Sequence, residues 1–528
     1  MSHADVIVIG AGHNGLVTAA SLAKAGRRVL VLEKRAQLGG IAVTEELFPG
    51  FRFSSCAPEG SNLASEVVRE LRLADHGLEW LPADPVAFVP QPDGSQLTIW
   101  RDTKRTADEI ARISAADARR YPDFVALMTR LADVVGGLLR AVPPDLPEVG
   151  WSDLRGMLPL AAPLRRLGRK RVNDLLRVLP MPVADLLNEW FESDALKAAI
   201  AASAVRDVSW GPKEAGTAYT LLFNWSLSDS GLFRSAGLAK GGVGALAQAL
   251  AGAVRAAGAE IRTSAPVRRI LLESGRVAGV ELEGGERLAA AAVASSADPR
   301  TTFFGLCEPR LLPAAFVRHV RSIKYRGSTA RIHLALSGLP EFTAAGGDEA
   351  ALRLSGPIQI APTLAHLQRA YDCTKYGGFS SVPYLDAWIP TLRDPSLAPA
   401  GSHVLSITAK YAPYRLRGAG WAERREAFVD GALDTLAEYA PKLRDLVRFR
   451  AALLPPDLEA EYGLPEGNLC HGEMTLDQFF HMRPIPGHAR YRGPIPGLYL
   501  CGSGTHPGGV VNGIPGRNAA REILRDRR

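Results

Sequence analysis

The sequence predicts an α/β fold in which a parallel sheet is assembled from both ends of the chain, with an α+β unit inserted into it. Three stretches carry that prediction. Residues 5–9 are a β-branched run entering a glycine turn. Residues 260–297 alternate short apolar runs with Gly- and Glu-rich turns. Residues 498–500 are an apolar run entering a second glycine turn. A chain of 528 residues exceeds what one hydrophobic core usually fills, so two domains interleaved in sequence are expected.

Composition narrows the class. The chain is 47% hydrophobic and 22% charged, which fits a globular protein and no low-complexity tract. No apolar run reaches the roughly 18 residues that cross a bilayer. Residues 1–10 lack a basic leader and a cleavage site and already read as a strand, so a cytoplasmic protein is expected. Cys56, Cys307, Cys373, Cys470 and Cys501 are scattered and form no CxxC pair, which fits reduced thiols. A net charge of +7 is mild for this length. No helix-turn-helix, zinc finger or aromatic-basic pattern points to nucleic acid, and the histidines do not cluster at metal-ligand spacing.

At the N-terminus the run 5–9 ends at Gly10-Ala11-Gly12-His13-Asn14-Gly15, after which Leu16, Ala19, Ala20 and Ala23 recur at helical spacing. Gly26 ends that helix, and residues 29–32 form the next strand, closing on Glu33. Gly10 permits the tight turn, Gly12 lets backbone approach a pyrophosphate, and Gly15 lets helix and strand pack closely. The helix N-terminus offers free N–H groups and its positive dipole end to phosphates. Glu33 is placed to accept from ribose hydroxyls, which disfavours a 2′-phosphate there. His13, Asn14 and Lys34 fall within the same cradle. The doublet Gly39-Gly40 resembles the extension of FAD-binding proteins, which favours FAD over NAD.

Further on, Lys240-Gly241-Gly242-Val243-Gly244 forms a loop with no strand before it, so it is not a second nucleotide site. A helix from about 245 to 257 follows. Ile261 and residues 267–272 read as strands, 277–282 and 288–293 as a hairpin, and 292–297 as a separate strand returning to the parallel sheet. In FAD proteins of this layout the backbone near Val267 meets the adenine. The stretches 76–234 and 301–455 have a different texture. The first is helical and rich in Leu and Arg; the second holds strands such as 403–407 and a helix near 424–439. They are assigned to a substrate-binding domain, and 1–75, 235–300 and 456–528 to a discontinuous cofactor domain. Within 160–179, Arg165, Arg166, Arg169, Lys170, Arg171 and Arg177 flank Leu164, Leu167, Leu175, Leu176 and Leu179. Such a stripe suits either a core-facing helix with a solvated basic face or an anionic membrane surface.

The C-terminal segment Gly502-Ser503-Gly504-Thr505-His506-Pro507-Gly508-Gly509-Val510 follows its strand directly, and Pro515 then suits the first turn of a helix. Such a turn presents backbone N–H groups to an electron-rich group. In a flavoprotein that group is the N1–C2=O side of the isoalloxazine.

Residues 498–509 resemble the C-terminal FAD motif of phytoene dehydrogenases and carotenoid isomerases. Residues 468–478, Arg483-Pro484 and Pro486-Gly487 resemble one branch of that family more closely, the pyridine-nucleotide-disulphide-oxidoreductase-domain proteins related to phytoene desaturase. Thr44-Glu45-Glu46, Pro49-Gly50-Phe51 and Gly216-Thr217-Ala218-Tyr219 support the resemblance. It implies a Rossmann-like, glutathione-reductase-type FAD domain in an amine-oxidase-like layout, with an inserted α+β substrate domain. It also implies desaturation or isomerisation of a lipophilic polyene or isoprenoid by hydride transfer to flavin N5, with oxygen or a quinone as acceptor. Two departures stand out. Ile41 lies where many relatives carry Arg, and Val510 lies where many carotenoid desaturases carry Gly.

Two alternatives stay open: a flavin amine or alcohol oxidase with a smaller polar substrate, and a non-catalytic lipid-binding protein of the same fold. The intact glycine turns and Glu33 argue against the second. Catalytic side chains are less defined. His506 and Thr505 lie in the flavin turn, and Arg206, Asp207 and Glu214 precede Tyr219.

Overall fold

The computed structural model describes residues 4–57, 62–82, 84–144, 150 and 157–527. Two seven-stranded sheets organise the chain. In the first, Ala4–Ile9 lies between Val29–Leu32 and Arg287–Ser295, parallel to both. Glu260–Arg262 extends the Val29–Leu32 edge, again in parallel. Val6, Ile7 and Val8 are wholly buried because both faces are covered. Val6 and Val8 join the core with Leu16 and Ala20 of the first helix, and Ile7 joins the core with Ile270, Val280 and Phe316. The strand therefore reads as an unbroken apolar run.

Arg287–Ser295 is one strand where the sequence suggested two. Its first half pairs antiparallel with Arg276–Leu282, and its second half pairs in parallel with Ala4–Ile9 and with Leu498–Leu500. No turn residue interrupts Leu288–Ser295, so the hairpin arm continues into the sheet. Leu498–Leu500 therefore sits one strand away from Ala4–Ile9. Both glycine turns leave the same end of this sheet.

The second sheet runs in the order Val447–Leu453, Thr329–Leu336, His403–Lys410, Leu385–Trp388, Ile358–Ile360, Ala87–Pro90, Gln96–Ile99. Every pairing is antiparallel except that of Ile358 with Phe88. Thr329–Leu336 alternates its faces. Ala330, Ile332, Leu334 and Leu336 join the core beneath the helix Trp421–Ala437. Arg331 and His333 point the other way, where His333 Nε2 meets Ser55 O at 2.9 Å.

The basic segment forms the helix Ala161–Val178, broken at Gly168, whose φ is 75°. Its leucines do not make one continuous stripe: Leu167 and Leu175 are buried, while Leu164 and Leu176 are exposed. Arg177 pairs with Glu189; the side chains of Arg169 and Lys170 lie outside the described residues. Among the described residues no helix is long and apolar enough to cross a membrane, and the five cysteines are free thiols.

Candidate cofactor and substrate site

A groove of about 290 Å³ opens where the parallel strands end. Gly10, Gly12, His13, Asn14, Glu33, Lys34, Gly40, Val267 and Ser503 line it, so both turns and the acid meet in one cavity. The glycines are required sterically. A Cβ on Gly15 would lie 2.1 Å from Gly10 O, well inside van der Waals contact, and one on Gly10 would overlap Ser296 Oγ. Gly39 lies behind the groove, at φ 117°, its N–H donating to Ala11 O at 2.9 Å. Gly502, Gly504, Gly508 and Gly509 shape the second turn rather than line the groove. A Cβ on Gly502 would overlap Ser296 O, and one on Gly508 would lie 2.7 Å from Arg483 Nε.

Direct bonds tie the ends of the groove together. Ala11 N donates to Glu33 Oε2 at 2.7 Å, and Asn14 Nδ2 donates to Ser503 Oγ at 3.1 Å. The helices His13–Lys24 and Ile514–Asp526 pack tightly because Gly516 has no side chain to meet Asn14 O.

The cavity fits a dinucleotide carrying phosphates. His13 Nε2, Asn14 Oδ1 and His471 Nδ1 are buried polar atoms without a protein partner, and all three residues line the groove. Burial, reinforced by the neighbouring His471, pushes His13 down to about 3. Burial likewise lowers His471, against the pull of Asp298. Both imidazoles are therefore neutral near pH 7, and each can turn a ring N–H to an acceptor. His471 is held at φ 55°, a left-handed conformation uncommon outside glycine. Glu473 pairs with Arg326, while His471 faces the groove.

Beyond the second turn lies a narrow cleft of about 30 Å³. Val510, Val511 and Asn512 form its turn-side wall, and Arg206, Asp207, Asn224, Arg331 and Thr408 give it polarity. Phe223 and Leu227 make the apolar side. Leu469 borders both the groove and the cleft. Val510 thus contacts this cleft rather than the groove. Each wall has a local cause. Phe223, Asn224 and Leu227 lie on one face of the helix Thr217–Leu227. Arg331 and Thr408 are cross-strand partners, and Arg331 donates to Thr408 Oγ1. Lys410 Nζ donates to Arg206 O at 3.0 Å and Val208 O at 3.1 Å, which fixes the 206–208 loop. Burial lowers that ammonium to about 8, with Asp207 partly offsetting the effect.

Three of the catalytic candidates from the sequence line neither cavity. His506 is held by a backbone contact. Its Nε2 is 3.0 Å from Leu138 O, and burial pushes it down to about 3, so it does not exchange protons near neutral pH. Thr505 is buried and donates to Gly502 O at 2.8 Å, closing the turn on itself. Glu214 pairs with Lys375 at 3.0 Å, away from the cleft. Arg206 and Asp207 do reach the cleft. Sequence reasoning missed Phe223, Asn224, Arg331 and Thr408, which carry no motif. Only the polar positions of an otherwise apolar strand, Arg331 and His333, could have flagged that face.

Comparison with known proteins agrees with this geometry. The family model for flavin-containing amine oxidoreductases matches residues 15–524. The chain is 38% identical to a rat pyridine nucleotide-disulfide oxidoreductase domain-containing protein 2, covering 99% of this chain and 93% of that one. It is 30% identical to a limonene dehydrogenase component of Castellaniella defragrans, covering 99% and 94%. A solved oxidoreductase from Methanosarcina mazei has the same fold, with a TM-score of 0.61 at 18% identity over 98% and 99% of the two chains. The protein is an FAD-dependent oxidoreductase belonging to the flavin-containing amine oxidoreductase family.

Proposed function

We propose that the protein oxidises a C–H bond of a small, partly polar substrate seated in the cleft between Val510–Val511 and Arg206–Asp207. The observation that carries this reading is the cleft's size and lining. About 30 Å³ is far below the several hundred Å³ that enclose a drug-sized ligand, and six of its side chains are charged or amide-bearing. A long polyene needs an extended apolar tunnel, whereas a small molecule with one hydrogen-bonding group needs only a modest opening here. When bound, FAD supplies a two-electron acceptor for the hydride. The chain's own residues would do the rest. Gly12, His13 and Asn14 would hold the pyrophosphate, Glu33 the ribose, and Ser503 with the following turn the ring. Arg206, Asp207 and Asn224 would orient the substrate, while Phe223 and Leu469 would keep water from the reacting carbon.

A second reading, desaturation of a small lipophilic isoprenoid, is favoured by the full-length likeness to a protein named as part of a limonene dehydrogenase. In either reading oxygen or a quinone takes the electrons away. Anaerobic titration of the yellow protein with amines, alcohols and small terpenes distinguishes the two. Bleaching by a small polar amine or alcohol, with peroxide released on readmitting air, is the expected result. Bleaching by terpenes alone would overturn the first reading in favour of the second.

A further inference from the structure

Arg483 is wholly buried, yet among the described residues no carboxylate pairs with it. Its donors go to backbone carbonyls instead. Nε donates to Ser503 O at 3.1 Å, Nη1 to Glu473 O at 3.1 Å, and Nη2 to Cys470 O at 2.6 Å and to Ser503 O at 2.9 Å. A guanidinium does not lose its charge at any ordinary pH, so this is a permanent cation in a low-dielectric interior. Burying such a charge without a counter-ion costs several kcal/mol, which carbonyl dipoles offset only in part.

Its position is specific. Arg483 lies directly behind the second glycine turn, and a Cβ on Gly508 would come within 2.8 Å of its Cζ. Two of its N–H groups converge on the carbonyl of Ser503, a residue that lines the cofactor groove. In a trans peptide the next N–H, that of Gly504, points away from this carbonyl. Among the described residues nothing accepts from the N–H groups of Gly502, Ser503 or Gly504. A cation pulling on Ser503 O polarises the Ser503–Gly504 peptide and strengthens its N–H as a donor.

We infer that Arg483 is a positioning residue that sets the electron affinity of the bound flavin, supplying through the 502–509 turn the positive potential that stabilises negative charge on the N1–C2=O edge. This rests on the isoalloxazine lying against that turn. The missing counter-ion is supplied by the cofactor itself on reduction, since two electrons and one proton leave one negative charge on that edge. The same charge appears when sulfite adds to oxidised flavin. Its lone pair forms an S–N5 bond, and an electron pair moves onto N1–C2=O with no leaving group.

The test compares wild type, Arg483→Lys and Arg483→Gln for FAD per chain, sulfite affinity and two-electron midpoint potential. Arg483→Gln should bind sulfite about tenfold or more weakly, equivalent to a potential lower by about 30 mV for each factor of ten. Arg483→Lys, which keeps the charge, should recover most of that loss. An FAD-loaded Gln variant with unchanged sulfite affinity and potential would overturn the inference. Should the Gln variant fail to load, the wild type decides. Its reduced flavin should remain anionic at pH values where free reduced flavin is protonated, and a neutral reduced spectrum there would refute the role of Arg483. A wild type that holds FAD in a crystal with the ring away from residues 502–509 would instead sink the placement on which the inference rests.

Discussion

Glu33 already accepts from Ala11 N through Oε2 and from Arg35 N, at 2.9 Å, through Oε1. Each carboxylate oxygen keeps a second lone pair, and the residue lines the groove. Glu33→Gln replaces one acceptor with an NH₂ group, which sets donor against donor at Ala11 or removes an acceptor from the ribose. Losing one such bond to a buried group costs about 1–3 kcal/mol, so FAD retention after dialysis should fall about tenfold or more. Retention equal to wild type would contradict the role given to Glu33. Glu33 was legible in the sequence because its position is fixed by strand, turn and helix together. His506 stayed an open candidate because a turn motif says which residues are near a cofactor, not which way they face. Its ring turns back to Leu138, and nothing in the run 502–509 encodes that. His471 had the opposite fate. It reaches the groove from a left-handed backbone, which has no sequence signature.

Under the proposed function, the helix Thr217–Leu227 would set substrate choice. It is buried on nearly all sides, so its apolar pattern gives no hint of which residue meets the cleft. Phe223 does. Its Cζ would lie 3.0 Å from a Cβ on Gly509, so the ring packs directly on the flavin turn. Phe223→Ala removes that wall while keeping helix propensity. It should admit bulkier substrates and raise KM for small ones more than it lowers kcat. Steady-state kinetics over substrates of graded size checks this, and an unchanged size preference would contradict it. The strands of the cofactor sheet were legible because continuous β-branched runs between glycines have few other readings. The joining of two predicted strands into Arg287–Ser295 was not, since a strand can change pairing partner without changing composition.

A buried ion pair fastens the loop before Leu238–Ala239 to the second sheet. Arg234 Nη1 and Nη2 each donate to Asp386 at 3.0 Å, and both side chains are almost fully buried. Arg234→Met should destabilise the protein by about 3–5 kcal/mol, because it strands a buried carboxylate. Replacing both partners with apolar residues should recover much of that. Chemical denaturation of the single and double variants checks it, and equal losses would contradict it. Acid sensitivity also belongs to the whole molecule. Burial holds His333 and His506 each at about 3. The unfolded chain protonates these rings below about 6.5, so it binds more protons than the folded one between there and pH 3. Their contribution to stability is therefore complete above about 6.5 and is lost as pH falls, by up to about 1.4 kcal/mol per pH unit for each ring. Thermal midpoints should drop from pH 7 to 5.5 more steeply in wild type than in His333→Gln; parallel slopes would contradict this.

Turns from opposite ends of the chain should close on one FAD whose ring borders the cleft at Val510. A crystal structure of the FAD-loaded protein decides this. It should show adenosine beside Glu33 and Val267, pyrophosphate over Gly12–Asn14, and the isoalloxazine against Ser503–Val511 with its open side towards Phe223 and Arg206. Density with the ring at the Glu33 end, or walled off from the cleft by Leu469, would contradict it.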